Sequence, residues 1–166
     1  VGAVDNSKSL FAIGDSLTYG VNVENTINGS WARYVSDNLG MKAYHNFAVH
    51  GTEVYQWYSL LTGNAAPNNE YDVGNIGLTK DALIEEIRNA GIVAFSLGSN
   101  DLIGDYVGHR SAEKVHETLI KIIDEIHTIN PDAIVVSVGY AYGIAMNKGG
   151  VHEKSYQLLI DFNNLM

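Results

Sequence analysis

Residues 9–17, SLFAIGDSL, decide how this chain is read. Ser9–Gly14 is short, almost wholly apolar and closed by glycine. That is the form of a strand covered on both faces, as in a parallel sheet. Asp15 and Ser16 follow at once. A hydroxyl at the carboxyl end of such a strand stands where open α/β sheets bind ligands. Beside the free amides of a turn, it is well placed to attack a carbonyl. The plainer alternative is that Asp15 and Ser16 only cap a turn or a helix, and three residues do not choose between the two.

The rest of the chain alternates strand and helix. Residues 30–39 (SWARYVSDNL) read as a helix, with Ser30 as N-cap, Trp31, Tyr34, Val35 and Leu39 as its apolar stripe and Gly40 as its stop. Residues 43–49 read as a second strand and 53–61 as a helix. Residues 62–79, rich in Asn and Gly, read as a loop. A helix is expected over 81–90, ended by Gly91. The continuous apolar run 92–97 (IVAFSL) is expected to be a third buried strand. Over 111–130, Val115, Leu119, Ile122, Ile126 and Ile129 keep the helical period, and Pro131 closes the run. A fourth strand at 133–138 (AIVVSV) and a helix at 153–165 complete the pattern. Such alternation implies a parallel sheet with helices on both faces. The right-handed crossover rule leads us to expect the strand order 2-1-3-4.

At 166 residues the chain is expected to form one domain, 1–166. That length suffices to bury roughly 70% of the unfolded surface. Ten Lys and Arg against nineteen Asp and Glu give a net charge of −9. With no basic excess to neutralise phosphates, nucleic acid and anionic membrane are poor partners. The absence of cysteine excludes a disulfide scaffold, thiolate zinc and a cysteine nucleophile. No run of about 18 apolar residues is present for a spanning helix, so no stable membrane insertion is expected. The chain starts at Val1 and shows no signal-like segment, so we expect either a removed leader or a trimmed chain. A secreted or extracytoplasmic location is slightly favoured.

Two later stretches bear on Ser16. In NFAVHGTEV (46–54), Gly51 comes just after the second strand. In SLGSNDL (96–102), Asn100 comes just after the third. In a parallel sheet all three loops open on one face. A tetrahedral oxyanion needs unobstructed donors, and a glycine N–H, an asparagine amide and the serine's own N–H supply them. Alone, Gly51 is a turn glycine and Asn100 and Asp101 are turn or N-cap residues. Together, each after a strand, they point to a site.

In these blocks the chain resembles the GDSL, or SGNH, serine hydrolase family. GDSLTYG resembles the first block, NFAVHG the glycine block and GSND the Gly-x-Asn-Asp block, in the family's order, over about residues 10–166. The resemblance implies a flavodoxin-like three-layer α/β/α sandwich and hydrolysis of esters. It implies Ser16 as nucleophile, with the Ser16 N–H, the Gly51 N–H and the Asn100 side chain as oxyanion hole. Asp15 and Asp101 then have supporting roles. The family's last block, Asp-x-x-His, supplies the base and its orienting carboxylate after a fifth strand. That block and strand are expected beyond residue 166, so the domain is expected to be incomplete at its C-terminus. A separate polypeptide carrying them would cover the exposed edge of the fourth strand.

The one literal Asp-x-x-His match, Asp124–His127 (DEIH), is rejected on geometry. It falls late in a helix about 30 Å long that runs back toward the amino ends of the strands. His50, His109 and His152 lie in loops on the correct side and are candidates for substrate contact or a surrogate base. The plainer reading of each is an ordinary loop histidine. His45 and His116 are expected to be structural. No metal or cofactor is implied. The expected partner is a small-molecule, carbohydrate or lipid ester, with an acetylated carbohydrate ahead on account of Tyr19, Asn22, Asn25, Tyr140, Tyr142 and Asn147. Two alternatives stand beside the esterase. One is a catalytically inactive relative that binds a glycan or a partner. The other is a flavodoxin-like nucleotide binder, disfavoured because GDSLTYG lacks a convincing phosphate loop.

Overall fold

A computed structural model describes residues 3–21, 23–63, 78–103, 111–139, 160, 161 and 163–165. Its centre is one sheet of four strands: β1 (Ser9–Gly14), β2 (Ala43–Asn46), β3 (Ala90–Ser96) and β4 (Ile134–Ser137). Their spatial order is β2-β1-β3-β4 and every pairing is parallel. Both β1 and β3 are buried along their whole length, which is why their sequences are apolar on both faces.

Side chains alternate across the sheet and divide the core in two. Phe11, Ile13, Val93 and Phe95 face a layer formed by three helices: α4 (Val54–Thr62), α5 (Lys80–Asn89) and α7 (Ala112–Ile129). These helices contribute Trp57 and Leu61, Leu83 and Ile87, and Leu119, Ile122 and Ile126. Leu10, Ala12, Ile92 and Ala94 face α3 (Trp31–Asn38), which brings Trp31, Ala32 and Val35. The three-layer α/β/α sandwich expected from the sequence is therefore the observed fold.

Local chemistry sets the helix limits. Glu53 and Gln56 form a reciprocal capping box at the start of α4. Thr79 Oγ1 accepts the Ala82 N–H at the start of α5, one residue before the expected start, and Arg88 sits favourably in its last turn. Ser111 caps α7 through the Lys114 N–H. Asn130 then ends α7 and fastens it: its buried Nδ2 donates to the Ile87 and Ala90 carbonyls at 2.8 and 2.9 Å. Ser30 has the extended backbone of an N-cap, but its hydroxyl is used elsewhere, on Tyr44.

Some boundaries shift. β3 begins two residues earlier than expected, at Ala90. β2 ends at Asn46 rather than 49, because the Asn46 side chain turns the chain by accepting the Ala48 N–H. Backbone bonds to β1 nevertheless continue from Phe47 N to Ala12 O and from Val49 N to Gly14 O. Three short helices escaped the sequence reading: α1 (Ser16–Tyr19), α2 (Thr26–Gly29) and α6 (Ser99–Ile103). Of the helix expected over 153–165, residues 160, 161 and 163–165 are helical and the rest lies outside the described residues. Among the described residues, β4 has a strand neighbour on one side only.

Candidate active site

The ends of β1 and β3 lie side by side, with Gly14 opposite Ser96. Gly14 leaves the strand at φ +128°, and a Cβ there would stand 2.5 Å from the Ser96 carbonyl oxygen. Only glycine permits this exit. It puts Asp15 at the N-cap of α1 and Ser16 in the first turn.

Asp15 is fully buried, and its carboxylate collects hydrogen bonds from three directions. The Leu17 N–H donates to Oδ1 at 3.0 Å and the Ser96 hydroxyl to the same oxygen at 2.9 Å. The Ser99 hydroxyl donates to Oδ2 at 3.2 Å. Since the Ser96 proton is spent on Asp15, the 2.7 Å contact between Thr18 Oγ1 and Ser96 Oγ is made by the threonine's proton. Thr18 Oγ1 in turn accepts the Ser96 N–H at 3.0 Å. One carboxylate thus holds both the residue after Ser16 and the residue before Asn100.

The second loop is stitched to both neighbours. Gly51 is buried at φ +80°, a conformation that favours glycine, and its N–H donates to no described residue. Thr52 Oγ1 lies 2.8 Å from the Val49 carbonyl and 3.1 Å from that of Gly14, and receives the Trp57 Nε1–H at 2.9 Å. The Asn100 Nδ2 donates to the Thr52 carbonyl at 2.9 Å, leaving the amide a second proton. Buried Asp101 accepts the Val54 N–H, at the start of α4, at 3.1 Å.

The three loops named in the sequence are therefore joined at the carboxyl ends of β1, β2 and β3. Ser16 is half-buried, and its Oγ bonds to no described residue. His50 is exposed beside Gly51; His109 and His152 lie outside the described residues. His127 is exposed in the last turn of α7, with Nε2 3.3 Å from the carbonyl of Ala133, the residue before β4. It sits at the amino end of the sheet, away from Ser16, as the helix geometry requires. His45 pairs with Glu86 at 2.6 Å. Among the described residues, no three His, Asp or Glu side chains gather as a metal site would require. No helix among them is long and apolar enough to cross a membrane.

Sequence reasoning missed Thr18, Thr52, Ser96 and Ser99. Their signal was a concentration of hydroxyls at three strand ends, in DSLT, HGT and SLGS. It missed Tyr44 too. Its hydroxyl donates to the Ile27 carbonyl at 3.1 Å and accepts from Ser30 and Asn46, both at 2.8 Å. Burial pushes this hydroxyl above the ordinary phenol range, with the hydrogen bonds opposing the shift.

No curated protein matches the chain in sequence. Solved structures share its fold. A lipase from a goat rumen metagenome (Lip_vut3) matches with TM-score 0.66 at 16% identity, over 95% of this chain and 73% of that one. An extracellular lipase from Streptomyces rimosus matches with TM-score 0.55 at 17% identity, over 95% and 74%. A carbohydrate esterase family 3 structure from Talaromyces cellulolyticus matches with TM-score 0.51 at 13% identity, over 95% and 72%. From the strand that precedes Ser16 onward, residues 12–166 match the model of one family, and the chain belongs to it: the GDSL-like lipase/acylhydrolase family.

Proposed function

We propose that the chain is a serine ester hydrolase with Ser16 as nucleophile. Its oxyanion hole is the Ser16 N–H, the Gly51 N–H and the Asn100 side-chain amide. The observation that carries this reading is the bond pattern of Asp15, which ties Leu17 and Ser99 to one buried carboxylate. That pattern fixes the nucleophile turn and the Asn100 turn relative to each other, and preorganisation of this kind is what transition-state stabilisation needs.

The reaction follows from these groups. Ser16 Oγ adds to the ester carbonyl while a histidine takes its proton. The negative charge that develops on the carbonyl oxygen is met by the three N–H donors. Collapse of the tetrahedral species expels the alcohol, which takes the proton back from the histidine. Water then adds to the acyl-serine by the same route in reverse. The histidine and its orienting carboxylate come from an Asp-x-x-His segment outside residues 1–166, in the same chain or as a separate piece against β4. The substrate side favours an acetylated carbohydrate over a lipid. The fold is shared by lipases and by a carbohydrate esterase, and the loop after Ser16 is rich in polar side chains.

One observation favours a second reading, a binding module without activity. Ser16 Oγ bonds to no described residue, and the one Asp-x-x-His match sits at the far end of the sheet. A single assay separates the two: hydrolysis of 4-nitrophenyl acetate by residues 1–166, with and without an added Asp-x-x-His segment. The esterase reading expects a rate only ~10³–10⁴ above the uncatalysed reaction without the segment, and restoration with it. Full activity of residues 1–166, abolished by replacing His50, His109 or His152, contradicts the proposed source of the base. No restoration by the segment favours the binding module.

A further inference from the structure

A concavity lies on the loop that follows α1. The chain leaves α1 by backbone bonds from Val21 N to Ser16 O and from Val23 N to Gly20 O, at 3.0 and 3.2 Å. It then enters α2, and α1 packs on both α2 and α3. Between this loop and the first turns of α3 lies a cleft of about 490 Å³, lined by Val23, Glu24, Asn25, Asn28, Gly29 and Tyr34.

Its shape is built into the backbone. Asn25 and Thr26 both have positive φ, 67° and 20°, a conformation that non-glycine residues adopt only when their surroundings hold them there. Gly29 is required on the wall, since a Cβ there would stand 2.5 Å from the Glu24 carbonyl oxygen. The floor is anchored from below, where Tyr44 grips the Ile27 carbonyl and the Ser30 hydroxyl.

The lining is chemically uncommitted. Neither the Glu24 carboxylate, the Asn25 and Asn28 amides nor the Tyr34 hydroxyl bonds to a described residue. Tyr34 is 62% exposed, so its ring face is open. An open aromatic face beside two amides and a carboxylate offers both halves of what a sugar presents, an apolar C–H face and ringed hydroxyls. A carboxylate in a chain of net charge −9 opposes a phosphate or sulfate ligand. One valine among the lining residues is too little apolar surface for an acyl chain.

We propose that this cleft, on the loop that leads out of the Ser16 helix, is a subsite for a neutral sugar unit, the carbohydrate part of the substrate. Its catalytic meaning rests on the ester-hydrolase reading, but its binding does not, and the test uses ligands without an ester. Saturation-transfer NMR is recorded on residues 1–166 with unacetylated xylotriose and cellotriose, and with decanoate as the acyl control. The expected result is transfer to the ring protons of at least one trisaccharide. It should weaken at least threefold in Tyr34→Ala and in Asn28→Ala, and stay unchanged in Ser16→Ala. Tyr34 is so exposed that its truncation leaves the fold intact, which the amide spectrum checks. Transfer to neither sugar overturns the proposal, as does transfer unchanged in both cleft variants, loss in Ser16→Ala, or transfer to decanoate alone. Sugar binding through Tyr34 by a chain that stays inactive on esters even with the Asp-x-x-His segment added contradicts only the hydrolase reading.

Discussion

At the scale of single residues, buried hydrogen bonds hold the turns of Ser16 and Asn100 in place. Asp15 has no exposed surface, and its carboxylate accepts from the Leu17 amide and from the Ser96 and Ser99 hydroxyls. Asn100 is held through one amide proton, leaving the other for a ligand. In a preparation that hydrolyses esters, Asn100→Ala should lower turnover about 10²-fold or more, the cost of one oxyanion donor. Asp15→Asn should act through position instead. It should lower turnover roughly tenfold or more with little change in KM, since a small displacement of reacting groups is expensive, and unfolding free energy should fall by about 1–3 kcal/mol. Steady-state kinetics with urea denaturation check both. Unchanged turnover in Asp15→Asn and Asp15→Ala means that the carboxylate holds only the fold. The sequence pointed to Ser16, Gly51 and Asn100 because each follows a strand of a parallel sheet, and the structure does join those three loops. It hid Thr52 and Ser96, whose roles depend on which strands become neighbours.

At the scale of elements, β2 and the loop before α3 are coupled through Tyr44. Its hydroxyl makes one donated and two accepted bonds and is neutral in all of them. Burial raises its folded pKa above the unfolded value of about 10. The unfolded chain therefore loses this proton first, and folding is favoured only while the phenol stays protonated. The stabilisation is complete below about pH 10 and is lost as pH rises through the folded value. The urea midpoint should thus fall between about pH 9 and about pH 11 more steeply in the wild type than in Tyr44→Phe. Equal slopes would show that Tyr44 is not part of this response. The long elements were legible because their patterns are strong: the stripe of α7 and the apolar runs of β1 and β3 need no partner to be recognised. The short helices α1, α2 and α6 were not, since helices of four or five residues show no period and exist only where caps and tertiary bonds hold them.

At the scale of the whole molecule, the parallel sheet brings three separated loops to one edge and sends the ends of its helices to the other. That topology places Ser16 with Asn100 and sets the Asp124–His127 match apart from both. The order β2-β1-β3-β4 agrees with the one expected from strand–helix alternation, the crossover rule and the family resemblance. The source of the base was not, because no histidine here carries the family's spacing in the right place. The proposed nucleophile is Ser16. Its most direct test is prolonged reaction with a fluorophosphonate followed by mass-spectrometric peptide mapping, on residues 1–166 alone and with an added Asp-x-x-His segment. One phosphonyl adduct is expected, on Ser16, formed slowly in the first case and at least tenfold faster in the second, since a serine is a weak nucleophile until a base takes its proton. An adduct on another residue, or none on Ser16 in either preparation, would contradict it.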